Sequence, residues 1–159
     1  MKKLLLFGLA AASLSACKKE SQTTPSPSKT ELLTAKNWRL TAYTSTVTVT
    51  GNSSSTNTGN IYALLSACQK DNFFKFNTDK TLVEDEGSIV CINTPQKTSY
   101  TWEFSSDQTR LLVTSPVSTD DFGTITELSS TTLRLRNTDI VTANGTTTTT
   151  VDDATYTAF

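Results

Sequence analysis

The chain contains no histidine. That absence removes the commonest general base, the usual partner of a nucleophilic serine or cysteine, and the commonest metal ligand. Cysteine is scarce: Cys17, Cys68 and Cys91 make three, which without histidine is a poor basis for a zinc site of three or four ligands. The six glycines are scattered and build no phosphate-cradling loop, and no Walker, EF-hand or nucleophile-elbow pattern occurs. Neither sign of charge is in excess: 14 Lys and Arg stand against 15 Asp and Glu, a net charge of −1. Arg39, Arg110, Arg134 and Arg136 are separated by polar and apolar residues, so no basic patch favours nucleic acid. No apolar run reaches the ~20 residues that a membrane-spanning helix needs. These absences predict a non-catalytic protein with no cofactor, no resident metal and no nucleic-acid partner.

What is present begins at the N-terminus. Lys2 and Lys3 precede an apolar run from Leu4 to Ala12, and small residues then lead into Cys17, the layout of a secretory signal. Leu14-Ser15-Ala16-Cys17 resembles the lipobox of bacterial lipoproteins. The resemblance implies cleavage before Cys17 and acylation of that residue with palmitate-type chains. Several buried chains at ~0.8 kcal/mol per methylene anchor a protein without a spanning helix. Residues 1–16 are thus read as a lipoprotein signal peptide, with an incidental cysteine behind an ordinary secretory signal as the alternative. The expected location is the cell envelope, as an outer-membrane lipoprotein facing the periplasm or the exterior, and the membrane is its first partner.

Residues 17–30 hold two prolines and no large apolar side chain. They cannot bury enough surface to offset their ordering entropy and read as a lipidated flexible tether. The folded domain is expected over 31–159, one domain by length. Threonine makes up about a fifth of the chain and favours the pleated surface of a sheet. Cys68 and Cys91 read as one disulfide of an exported protein, worth ~3 kcal/mol on the chain-entropy model. A thiol redox pair and a metal site are the alternatives.

Alternation predicts strands along the domain. Trp38, Leu40 and Ala42 share a face in a strand from Asn37 toward Thr50, and residues 51–60 read as a polar loop. Tyr62–Leu65 is an apolar cluster, a helical turn or lid before Cys68. Asn72–Asn77 and Thr81–Asp85 form a hairpin about Asp79-Lys80, where the usual turn glycine is missing. A loop with Cys91 and Pro95 follows. Tyr100, Trp102 and Phe104 alternate most clearly, Leu111–Thr114 returns, and Phe122–Leu128 pairs with Thr132–Asn137. A last hairpin turns at Asn144-Gly145, a type I′ signal. About eight consecutive strands with one apolar face each predict an all-β, up-and-down antiparallel barrel.

The segments LLTAKNWRLTAY, CQKDNFFKFNTDKT, YTWEFSSDQTRLLV and ITELSSTTLRLRN resemble the lipocalin-like lipoprotein domains of the Bacteroidetes over most of residues 31–137. The resemblance implies a lipocalin-like barrel far more than an activity.

Two readings of the aromatic residues follow. As barrel core, Phe74, Phe76, Tyr100, Trp102 and Phe104 fill the interior of an eight-stranded barrel; as pocket walls, they hold a small hydrophobic ligand. The leading functional expectation is a lipid-anchored envelope module binding such a ligand. The alternative is a solid-core module contacting a protein or glycan. Neighbouring strand residues point to opposite faces, so adjacent acids converge only where a loop folds them together. Asp120-Asp121 is read as lying in such a loop, as a solvated turn, with weak Ca²⁺ binding as its alternative.

Overall fold

The computed structural model describes residues 25–115 and 119–159. Cys17 and the leader before it lie outside the described residues. The first described element is α1 (Lys29–Thr34), started by a capping box: the Ser28 hydroxyl accepts from the Glu31 N–H, while the Glu31 carboxylate accepts from the Ser28 N–H at 2.7 Å. The helix therefore begins two residues ahead of the boundary expected at Glu31. Then follow β1 (Asn37–Thr50), β2 (Ser55–Asn60), α2 (Ile61–Leu64), α3 (Ala67–Asp71), β3 (Phe73–Phe76), β4 (Thr81–Asp85), β5 (Lys97–Phe104), β6 (Arg110–Thr114), β7 (Thr119–Leu128), β8 (Thr132–Ala143) and β9 (Thr146–Ala158).

From β3 to β9 each strand pairs antiparallel with the next, and β1 pairs with both β3 and β9. The ring closes into the eight-stranded up-and-down barrel that the alternation predicts, and closure removes the strand edges from the barrel itself. β2 is a ninth strand outside the ring. Its position follows from a division of labour along β1: Asn37–Arg39 pair with β3, Thr44–Val49 pair with β2, and β9 runs beside nearly the whole strand. Residues 55–60 are thus a strand, not loop. Their polar sequence has no apolar face to announce it; pairing is supplied by the edge of β1, and the Thr46–Thr58 and Thr48–Thr56 hydroxyls hydrogen bond across it at 2.9 and 3.2 Å.

A second difference lies in β8, which continues beyond the expected end at Asn137 to Ala143. Asn144 and Gly145 turn the chain with φ of 50° and 75°, the two positive values a type I′ turn requires, and β9 returns in register from Ala143↔Thr146 down to Thr132↔Thr157. A third difference concerns Asp120-Asp121, which lies within β7 rather than in a turn. There Asp121 faces Leu112 across the β6–β7 ladder beside a bulge, and its carboxylate ion-pairs with Arg110.

The core occupies the end of the barrel where α1 packs. Leu33, Trp38, Phe76, Leu82, Leu111 and Leu133 are fully buried, with Trp102 2% exposed, and each contributes roughly 1.5–3 kcal/mol or more by leaving water. Both indoles satisfy their N–H groups: Trp38 donates to the Leu33 carbonyl at 2.8 Å and Trp102 to the Asn77 carbonyl at 3.1 Å. α1 thereby plugs the end that also holds the turns at 77–80, 105–109 and 129–131.

Candidate functional site

The other end of the barrel is built differently, and the register shows how. On the inner face of β8, β9 and β1, the first cross-strand row is Leu133–Tyr156–Leu40, the next Leu135–Ala154–Tyr43, and the next Asn137–Asp152–Ser45. Polarity rises row by row from the core toward the rim. Phe122 enters from β7 at the bulge, where Gly123 holds φ 139° and a Cβ would press within 3.2 Å of the Leu135 Cβ and the Asn137 Oδ1. Its ring stacks on Tyr156 with centroids 6.0 Å apart and 28° between planes, and meets Phe74 edge-on at 5.4 Å.

Above these rings lies a cavity of about 260 Å³, lined by Leu40, Tyr43, Asp121, Phe122, Leu135, Asn137, Asp152, Ala154 and Tyr156. The Tyr156 phenol is pushed strongly upward by burial, with Tyr43 and Glu84 adding to it. Burial first and Asp152 second push Tyr43 up as well. Deeper along the wall, the Tyr100 hydroxyl donates to the Glu84 carboxylate at 3.2 Å; burial and then that carboxylate raise its phenol. Asp121 is compensated by Arg110, and its Oδ1 accepts from the Gly123 N–H at 3.0 Å. Asp152 forms no ion pair among the described residues, and its Oδ1 is buried without a hydrogen-bond partner.

The five aromatic residues singled out by sequence divide between core and cavity floor. Phe76 and Trp102 pack edge-to-face at 5.7 Å, and Phe104 meets Trp102 at 5.4 Å, all beneath the cavity. Phe74 touches the two rings of the floor, being 5.9 Å from Tyr156. None of the five lines the cavity itself. Tyr43 reaches the cavity because the bulge between Leu40 and Ala42 shifts β1 by one residue, so that Tyr43 and not Ala42 continues the face of Trp38 and Leu40. Convergence of the lining depends on this bulge, on the β8–β9–β1 register and on the bulge in β7.

The cluster around Tyr62 sits on the barrel's flank, where α2 and α3 pack beside β1. Cys68 of α3 and Cys91 form a disulfide, Cα atoms 5.3 Å apart, which is the pairing read from sequence. The loop it holds is further ordered by acids: Asp71 accepts from Ser88 and Ile89, and the buried Glu86 accepts from Asn72, the Cys91 N–H and Thr94. These bonds make the disulfide a structural clamp.

Beyond the rim, the distal halves of β8, β9, β1 and β2 project as a four-stranded sheet. On its outer face stand the rows Thr138–Val151–Thr46–Thr58 and Ile140–Thr149–Thr48–Thr56. The β7–β8 pairing stops at Arg136, so Thr138–Ala143 present an edge strand unpaired among the described residues. Ile140 and Val141 on it are 63% and 55% exposed.

Among the described residues no cluster of metal-ligating side chains occurs, and no helix is long and apolar enough to cross a membrane. Comparison with family models, curated proteins and solved structures found no match to this chain.

Proposed function

We propose that the protein is a non-catalytic envelope lipoprotein, anchored through Cys17, whose barrel is a packed scaffold presenting the projecting sheet to a protein partner. The observation that carries this reading is the Thr138–Ala143 edge. It combines backbone donors and acceptors unpaired among the described residues with exposed Ile140 and Val141, and apart from Asp139 it carries no charged residue and no Pro to blunt the edge. An extended partner segment would add a strand there, gaining affinity from main-chain hydrogen bonds and selectivity from alternate side chains. Support also comes from the filled interior: with Phe76 and Trp102 packed against one another, a hydrophobic ligand held deep in the barrel is the less favoured reading. The resemblance to lipocalin-like lipoproteins of the Bacteroidetes agrees with the anchor and the barrel.

The test is photocrosslinking in living cells with a photoreactive amino acid at Ile140 and, as control, at Thr101 on the barrel wall. A discrete adduct at Ile140, missing at Thr101 and lost on Val141→Lys, is expected. No adduct, or equal adducts at both positions, overturns the edge as a docking strand. Fractionating cells that carry Cys17→Ala tests the anchor in the same strain: the protein should leave the membrane fraction.

A further inference from the structure

We infer that the rim cavity is a binding site for a small organic ammonium ion. Its size limits the ligand first. About 260 Å³ is roughly nine water volumes at ~30 Å³ each, below the ~300 Å³ at which drug-sized pockets begin, so a fatty acyl chain is too large and a single-ring amine fits. Its floor selects an aromatic or aliphatic body, because Phe122 and Tyr156 stack there in a ring cluster continued by Phe74. Such faces also attract cations through their quadrupoles.

Charge selects the head group. Two carboxylates line the cavity, and Arg110 neutralises Asp121. Asp152 is left without a basic neighbour within ion-pair distance among the described residues, and half of its carboxylate is shut away from water with no hydrogen bond. A partly desolvated carboxylate is costly without a counter-charge or donors. An ammonium ion supplies both, with Asn137 beside Asp152 in the same row and the Tyr43 hydroxyl on the adjoining one. An anion would meet Asp152 directly, and a purely apolar ligand would leave these polar groups unpaired. The inference stands apart from the docking edge, which lies farther out on β8.

The experiment uses the full chain in neutral detergent micelles and follows the resonances of Leu40, Leu135 and Phe122 during titration with benzylamine, its neutral analogue benzyl alcohol, and benzoate. Benzylamine is expected to give saturable shifts, benzyl alcohol to bind at least about tenfold more weakly, and benzoate not to bind. Asp152→Asn should weaken benzylamine by a similar factor and narrow the gap between benzylamine and benzyl alcohol. Equal binding of amine and alcohol, unchanged amine binding in Asp152→Asn, or no saturable shift with benzylamine each overturns the proposal. The amine–alcohol comparison on the unmodified protein decides the matter even if the variant does not fold.

Discussion

Strands β1, β8 and β9 pass through two regions of this molecule without interruption, and the contrast between their halves explains the architecture. In the barrel their inner positions are Trp38, Leu40, Leu133, Leu135 and Tyr156; beyond the rim the same face carries Ser45, Asn137, Asp152, Asp139 and Thr150, with the small apolar side chains of Val47, Val49 and Val141 among them. The period of two is broken once, at the bulge between Leu40 and Ala42 that brings Tyr43 to the inner face. What changes is the opposite wall: β4, β5 and β6 end near the rim, and past it the inner face meets water. On these strands tryptophan, leucine and tyrosine stand where a second layer covers them, as hydrophobic burial demands, whereas the apolar residues past the rim, Val47, Ile140 and Val141, stay exposed. Hairpin length and hydroxyl ladders, not a core, hold the projecting sheet. One regular backbone thus serves as packed scaffold at one end and as presented surface at the other.

The largest effect that tests this contrast comes from truncating one side chain in each half. Trp38→Ala removes a fully buried indole and its bond to the Leu33 carbonyl, and should cost ~3–5 kcal/mol. Ile140→Ala removes a mostly exposed side chain and should stay within ~0.5 kcal/mol. Denaturant midpoints at constant slope measure both. A cost above ~2 kcal/mol for Ile140→Ala would mean that the sheet is packed against something within the isolated protein, and the contrast would collapse.

A second comparison is set by pH. Hydrogen bonds from Ser105 and from the Thr109 N–H and hydroxyl hold the Asp107 carboxyl down to about 2, and bonds from the Thr81 hydroxyl and N–H lower Asp79. Asp71 is lowered by Ile89 and Ser88. For Asp85, burial works upward, but bonds from Gly87, Lys97 and Gln96 outweigh it. Groups with depressed folded values stabilise above their ordinary titration near ~4, and that stability is lost as pH falls through the folded values. The melting temperature should therefore drop between pH ~4 and ~2, less so in Asp107→Asn. The raised phenols of Tyr43, Tyr100 and Tyr156 act in the opposite sense: their contribution is present below the ordinary value near ~10 and is lost as pH rises above it. Tyr156→Phe should flatten that alkaline limb while leaving the acid limb in place. A flat melting temperature from pH 4 to 2 would remove the turn carboxylates from this account.

How much was legible in sequence also follows the division between halves. Trp38, Phe76 and Trp102 announced themselves because a covered strand must alternate large apolar with polar residues. The disulfide was legible because, with no histidine to complete a metal site and no C-x-x-C spacing, Cys68 and Cys91 have few other uses. By contrast, Ser55–Asn60 carried no periodic signal, since a strand solvated on both faces needs none, and its pairing was decided by the edge that β1 offered. The extension of β8 past Asn137 was signalled by the Asn144-Gly145 turn, which needs a strand before it, and by no alternation of its own. The cavity was illegible: Asp152 and Phe122 lie thirty positions apart, and their approach depends on ring closure and on a bulge at Gly123. Asp120-Asp121 looked like a turn because two acids are rarely favoured in a strand, whereas Arg110 across the ladder stabilises Asp121 there.

The smallest effect concerns two hairpin turns, one in each region. At the tip of the projecting sheet the chain uses Asn144-Gly145, the residues that accept positive φ at least cost. At the plugged end Lys80 adopts φ 72°, a conformation that costs a side-chain-bearing residue ~1–2 kcal/mol. The packed barrel over-determines it: the Lys80 N–H donates to the Asn77 carbonyl at 3.1 Å, the Trp102 N–H donates to the Lys80 carbonyl at 2.8 Å, and the ammonium lies 4.0 Å from the Trp102 ring centroid. That cation–π contact returns ~0.5–1 kcal/mol at an exposed site. Lys80→Gln keeps the strain and loses the contact, so it should destabilise by ~0.5–1 kcal/mol. Lys80→Gly loses the contact and most of the strain, so it should be the more stable of the two variants by ~1 kcal/mol. Equal stability of the two would show that the turn backbone relaxes freely around residue 80. The barrel end would then be no more rigidly determined than the sheet that projects from it.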